Sequence, residues 1–234
     1  MPKSLNKNRI LVISAHPDDE IIGCGGTIAR LSEQGHDVHI LILGEGITSR
    51  QNKRNTNRAK LDLTKLKLQS EKAGKIIGAK EIKVLNFPDN RFDNVNLLDI
   101  IKAIESVKNE FCPQIIFTHY ANDLNIDHRL TFQATMTACR PLKNETVTQI
   151  YSFEILSSTE WQYNKQSHFS PTKSIVLEKG HIDAKIAAIQ MYSSEICEYP
   201  HPRSLEGLEI LAKWRGMNVG HKYAEAFEVI RDVC

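Results

Sequence analysis

Five consecutive residues, His16-Pro17-Asp18-Asp19-Glu20, set one imidazole and three carboxylates directly behind the apolar run "RILVISA". Carboxylates repel one another and resist burial, so such a cluster needs bulk water or a cation beside it. His16 and Asp19 are three positions apart. On a strand-to-helix turn both side chains reach one ion, while the new helix aims its amide groups at negative charge. A further donor is available from His128 in "NIDHR". Two histidines and one carboxylate, with a position left open for water, are a sufficient ligand set for a catalytic zinc ion. Asp18 is then free to serve as a general base on that water, and Glu20 falls in the first helical turn with a structural part. A plain helix start explains the same five letters, because Pro17 and the acids all favour a first turn. His128 by itself reads as a packing or surface histidine; two loops rich in His and Asp, each following a strand, are what favour a metal.

The fold has to bring those two loops together. "RILVISA", "VHILIL", "IKVLNF" and "QIIFTH" are short, β-branched-rich runs of nearly continuous apolar character, as expected of parallel strands covered on both faces. Helix-length segments separate them. "IIGCGGTIARLSEQG" can gather Ile21, Ile28 and Leu31 on one face and ends at Gly35, a suitable terminator. "KLDLTKLKLQSEKAGKIIG" stops at Gly78, and "NLLDIIKAIESVKNEF" sets Leu97, Ile100, Ile101 and Ile104 on one side before Pro113. This alternation predicts an α/β fold: one domain over residues 1–234 with a doubly wound, mostly parallel sheet. With strand order 3-2-1-4-5, "HPDDE" and "THYANDLNIDHR" become neighbours at the point where strand order reverses, where such sheets bind ligands. From about Val147 the chain reads as a strand ("TVTQIYSFEI"), a linker, a strand ("SIVLE"), and helices around His181–Tyr192 and Ser204–Arg215. "GCGG", from Gly23, sits inside a helix rather than in the turn before it and falls short of G-x-G-x-x-G, so it predicts close helix-to-sheet packing.

With 234 residues, 41% of them hydrophobic, the chain can build one large core. Its formal net charge of +2 argues against duplex nucleic acid or an anionic membrane surface as partner and directs attention to a pocket. The polar stretch Glu45–Lys60 has cations without interleaved aromatics and reads as a loop beside the site. The apolar runs are far shorter than the roughly 20 residues of a membrane span, and "MPKSLNKNRI" lacks the apolar core of a secretory signal. The expected location is cytoplasmic. Five cysteines, odd in number and without a C-x-x-C pair, suit reduced thiols, which makes the sequon at Asn144 accidental.

The sequence resembles the PIG-L, or LmbE-like, zinc-dependent N-acetylglucosamine deacetylases. "AHPDDE" at Ala15–Glu20 is the most specific signature, and the likeness continues through "DLNIDHR" at Asp123–Arg129 and "HPRSLEGLEILAKWRG…YAEAFEV" near the C-terminus. It covers nearly the whole chain. The resemblance implies a Rossmann-like sheet, Zn2+ held by His16, Asp19 and His128, and Asp18 as the base that deprotonates the attacking water. It also implies removal of an acetyl group from an N-acetylglucosamine-type sugar; several family members assemble, so a homo-oligomer is open. One position departs from the family. Where an H-x-D-H pattern has a histidine that polarises or protonates the reacting amide, this chain has Asn125. An amide can donate a hydrogen bond to an oxyanion but delivers no proton, which leaves acid duty to protonated Asp18 or to another histidine such as His119 or His221. Asp127, without its usual partner, is expected to orient His128 or Asn125.

Substrate contacts are less specific. "FPDNRFD" follows the third strand, so Asp89, Arg91 and Asp93 could bind sugar hydroxyls, while an ordinary Asp-Asn turn explains the same letters. Arg50 could meet an anionic aglycone, or be a solvated loop arginine. His201 and Arg203 in "HPRS" read as the opening of a helix capped by Ser204. The rival functions are a zinc amidase for a larger acyl group and a non-catalytic Rossmann-like module for a sugar or nucleotide.

Overall fold

The computed structural model of the chain describes residues 7–48, 60–164 and 166–233. Strands β1 (Arg9–Ser14), β2 (Asp37–Gly44), β3 (Glu81–Phe87) and β4 (Ile115–His119) alternate with helices α1 (Asp19–Glu33), α2 (Lys60–Ile76) and α3 (Leu97–Phe111). There follow α4 (Ile126–Ala138), β5 (Gln149–Phe153), β6 (Lys173–Leu177), α5 (Lys179–Ile189), α6 (Leu205–Met217) and β7 (Tyr223–Asp232). All seven strands form one sheet in the order β3-β2-β1-β4-β5-β7-β6. The first five are parallel. β7, which the sequence reading did not identify, enters antiparallel between β5 and β6.

Burial on both faces explains the apolar strands. Along β1, Ile10 and Val12 face a core shared with Ile21 and Ile28 of α1, Leu66 of α2 and Ala188 of α5. The intervening Leu11 and Ile13 pack with Ile100 and Ile104 of α3 and Ala134 of α4 on the other side. A strand of period two with both faces covered has no position for a polar residue, hence the unbroken run. Local signals stop the helices: after α1, Gly35 takes φ +85°, and after α3, Cys112 takes the left-handed conformation just before Pro113. Asn96 and Ser204 cap α3 and α6 by accepting from Leu98 N and Gly207 N.

α1 is broken at Cys24, whose φ of −149° and ψ of 23° are not helical. The break strands backbone groups that an intact helix would pair. Glu225 of β7 accepts from Gly26 N (3.1 Å) and Thr27 N (2.7 Å), and Lys185 of α5 donates to Ile22 O (2.7 Å) and to Glu225 (2.6 Å). A buried ion pair thus fills the gap in the helix, which is a cause of kinking by inserted side chains. On the sheet side the glycines allow close approach: a Cβ on Gly23 would lie 2.4 Å from the Phe153 ring, and one on Gly26 2.6 Å from Leu177. Among the described residues, no helix is long and apolar enough to cross a membrane, and Cys24, Cys112, Cys139 and Cys197 are free thiols.

Because the Phe153 ring is fully buried, Gly23→Ala should destabilise the fold by about 1–3 kcal/mol through overpacking, despite the better helix propensity of alanine. Urea unfolding reads this as a lower midpoint; an unchanged or raised midpoint would show that the ring gives way freely.

Candidate active site

β1 and β4 are adjacent, and their carboxyl ends open at the point where strand order reverses. The chain leaves β1 through Ala15 and turns into α1 at Asp18, where φ is +115°. A non-glycine residue with that backbone is strained, and the strain is met by side chains: Asp19 Oδ2 accepts from His16 N (2.9 Å) and Glu20 Oε2 accepts from Asp18 N (3.1 Å). From the β4 side, His128 sits in the first turn of α4, whose N-cap Asn125 accepts from Asp127 N.

Three donors converge. Asp19 Oδ2 lies 3.3 Å from His16 Nδ1 and 3.3 Å from His128 Nε2, and ligand atoms of His16, Asp19 and His128 all lie within 4.8 Å of one another. Each histidine has a carboxylate behind its other nitrogen. His16 Nε2 is 3.0 Å from Asp127 Oδ2, and His128 Nδ1 is 3.0 Å from Asp123 Oδ1. With Nδ1–H given to Asp123, the lone pair of His128 Nε2 faces the Asp19 carboxylate. Both His128 Nε2 and Asp19 Oδ1 are buried without a hydrogen-bond partner. A ring nitrogen lone pair set 3.3 Å from Asp19 Oδ2, beside a carboxylate oxygen with no donor of its own, needs a cation or a proton in a dry interior, so this donor set fits a metal ion braced by carboxylates from behind.

The titration behaviour has the same origin. Burial disfavours protonated His128, yet Asp19 and Asp123 outweigh it and raise the imidazole to about 9. Burial likewise opposes the Asp19 anion, but His128 and His119 hold that carboxyl well below its usual range. Asp123 is depressed to about 2: burial works the other way and is overcome by His128, Ser158 and Thr159, with Thr159 donating at 2.5 Å. His119 is held well below the ordinary histidine range by burial and by neighbouring His128; its Nε2 accepts from Ala15 N (2.8 Å). It is fully buried, with Nε2 bonded to the backbone and Nδ1 without a hydrogen-bond partner. His221 is exposed in the turn between α6 and β7.

Asp18 is 2% exposed. Burial pushes its carboxyl well above the ordinary value; the Arg203 guanidinium pulls it back, and Asp19 adds to the rise. Arg203 reaches Asp18 Oδ2 at 3.0 Å and is held by Ser157 Oγ at 2.7 Å. The helix-opening reading of "HPRS" is therefore half of the picture: Ser204 does cap α6, and Arg203 points to the site.

Asp127 departs from expectation. Its partners are His16 Nε2 and Phe92 N (3.0 Å), not His128 or Asn125. It could not have been paired correctly from sequence, since His16 is 111 positions away. Asn125 donates its amide to Asn90 Oδ1 (2.8 Å) besides capping α4. Asp89 is buried, 3.5 Å from His16 Nε2, which sets it inside the metal-side cluster rather than at the rim. Arg91 is half-buried, and Asp93, on the short 3-10 turn Phe92–Asn94, is exposed with Asn94 bonded to it (3.1 Å). Arg50 lies outside the described residues. Asp123 and Arg203 were not recognised as site residues; the five-residue spacing of Asp123 and His128 across a helix start was the one available signal.

Comparison with known proteins gives the family of the chain. The family model of PIG-L, GlcNAc-PI de-N-acetylase, matches residues 11–139, from β1 to the end of α4, and so includes both converging loops. YaiS, an uncharacterized deacetylase of Escherichia coli (strain K12), is 30% identical over 82% of this chain and 94% of its own length. The diacetylchitobiose deacetylase of Thermococcus kodakarensis is 25% identical over 95% of this chain and 83% of its own. In fold, the chain is also similar to the crystal structure of 4-carboxy-2-hydroxymuconate hydratase from Pseudomonas putida, with a TM-score of 0.74, 21% identity, and coverage of 97% of this chain and 98% of that one. The signature turn, its position at the reversal of strand order and a match spanning both converging loops together place the chain in the PIG-L (GlcNAc-PI de-N-acetylase) family.

Proposed function

We propose that the protein is a zinc-dependent N-deacetylase that removes the acetyl group from an N-acetylglucosamine-type amino sugar, with His16, Asp19 and His128 as ligands and Asp18 as general base. The observation that carries this reading is the meeting of two features where the β1 turn faces α4: buried His128 Nε2 and Asp19 Oδ1, neither with a hydrogen-bond partner, and next to them a strained aspartate whose carboxyl is raised by burial. A relative that spans most of the chain, the diacetylchitobiose deacetylase, supplies the sugar class. Two imidazoles and one carboxylate suit zinc among the common divalent ions.

Zinc held by these residues would polarise the amide carbonyl and bring the pKa of water down toward about 7. Asp18 takes a proton from the attacking water as its oxygen bonds to the acetyl carbon. The C–N bond then breaks, and Asp18 returns the proton to the departing nitrogen, leaving a free amine and acetic acid, which ionises. A carboxyl raised by burial suits both halves of that exchange, because a proton carrier works best when its pKa is near the working pH. Arg203 keeps the anion accessible. Asn125, fixed between Asp127 N and Asn90, has one amide hydrogen left for the oxyanion and no proton to deliver. Asp127 and Asp123 hold the two imidazoles in the tautomers that ligation requires. Arg91 and Asp93 are proposed as hydroxyl partners on the sugar; Asp89, from its position, holds His16 rather than the sugar. Arg50 is proposed to meet the aglycone.

Asp18→Asn should keep zinc and lose about 10²–10⁴-fold in turnover, whereas His128→Ala should lose zinc too. Metal analysis paired with acetate release from a panel of N-acylated glucosamines reads both, and full turnover in either variant refutes the assignment. Zinc binding should also depend on pH. With His128 titrating at about 9, the metal-free protein carries at neutral pH a proton that zinc must displace. Affinity should therefore rise from pH 6 toward about 9 and then level. Calorimetry at pH 7 in two buffers of different ionisation heat should find at least about one proton released per zinc bound; no release would contradict the ligand set.

A further inference from the structure

The break at Cys24 separates the first turn of α1 from the rest of the helix, so Asp18 and Asp19 do not inherit their position from its long, core-packed half. Something else must hold Asp18 in its disfavoured backbone conformation. Its amide is bonded by Glu20 Oε2 (3.1 Å), and the other oxygen of that carboxylate accepts from the Tyr192 hydroxyl at 2.7 Å. Glu20 is 1% exposed and Tyr192 is 0% exposed; water reaches neither. The carboxylate is held at both ends, on one side by a phenol from the turn after α5 and on the other by the peptide that carries the proposed base.

We propose that Glu20 and Tyr192 are positioning residues: a buried phenol–carboxylate relay that fixes the peptide of Asp18, and through it the direction of the Asp18 side chain. It deepens the deacetylase reading above and rests on it for its kinetic consequence, though not for its structural one. A buried polar group with a single partner at each end is rigid because either end left alone would be unsatisfied. Removing the hydroxyl leaves the Glu20 carboxylate free to turn, and the Asp18 amide then loses its acceptor. The ligands are not joined to this relay: Asp19 Oδ2 is held by His16 N.

The test uses Tyr192→Phe, which removes one oxygen without changing the buried ring, and Glu20→Met, which keeps an unbranched side chain of similar length but removes both acceptor oxygens. Two readouts are taken. In metal-free protein, selective labelling of aspartate with nitrogen-15 follows hydrogen exchange at the Asp18 amide; exchange should be at least 10-fold faster in both variants, with amides of β1 unchanged. In zinc-loaded protein, kcat for acetate release should fall about 10-fold or more with KM within twofold and zinc content unaltered. The double variant should be no worse than the weaker single one, as expected of two residues acting in one chain. Unchanged exchange at Asp18 in both variants overturns the proposal, as does a loss of zinc equal to the loss of kcat. Wild-type protein that releases no acetate from any substrate would sink the deacetylase reading instead, and the exchange measurement would still decide the relay.

Discussion

Three neighbouring carboxylates, Asp18, Asp19 and Glu20, are all buried at the carboxyl end of β1, and everything around them answers to that charge. Uncompensated anions in a dry interior are too costly to persist. Each of the three is met by a different chemistry. Asp18 faces a guanidinium, Asp19 a ring of imidazoles, and Glu20 a phenol and a backbone amide. These partners come from the segment before α6, from β4 and α4, and from the turn after α5. The site therefore draws on segments from Asp18 to Arg203, spread over most of the chain.

The two histidines are braced crosswise. Asp127, from α4, holds His16, which belongs to the β1 side; its second oxygen takes Phe92 N from the segment after β3. Asp123 holds His128 and is itself held by Thr159 and Ser158 from beyond β5. One carboxylate thus ties β1, β3 and α4 together, and the other ties α4 to the far half of the sheet. Bracing of this kind fixes the tautomers and keeps His16, Asp19 and His128 near one another despite the repulsion among their lone pairs.

What the sequence made legible was local or periodic. The strand runs, the ends of α1 and α3, the cap of α6 and the order of the first five strands follow from burial on two faces, from turn residues and from the handedness of crossovers. The turn at "HPDDE" was legible because four polar residues within five positions behind a buried strand have few physical explanations. Long-range pairings were not. Nothing near Arg203 indicates that it faces an acid 185 positions earlier, and the bond of Asp127 to His16 depends on how the β1 and β4 ends are set against each other. β7 was missed because "YAEAFEVIRD" has a charged Glu225 where a core strand should be apolar. That charge is there to close the break in α1, which no local pattern announces.

A sheet of this topology also serves a hydratase, so the fold does not select the reaction; the residues at the strand ends do. Position 125 shows how. A side chain that caps α4 through Asp127 N and ties Asn90 on the facing loop is fixed by two structural bonds, and an asparagine has the acceptor and donor for both. Proton transfer at that position is thereby given up in favour of joining α4 to the segment after β3. In the proposed reaction the duty then falls to Asp18, the neighbouring carboxyl that is not among the proposed ligands and whose surroundings pull in opposite directions. Burial favours Asp18 protonated and Arg203 favours it ionised, and a carboxyl poised between the two can accept a proton in one step and return it in the next.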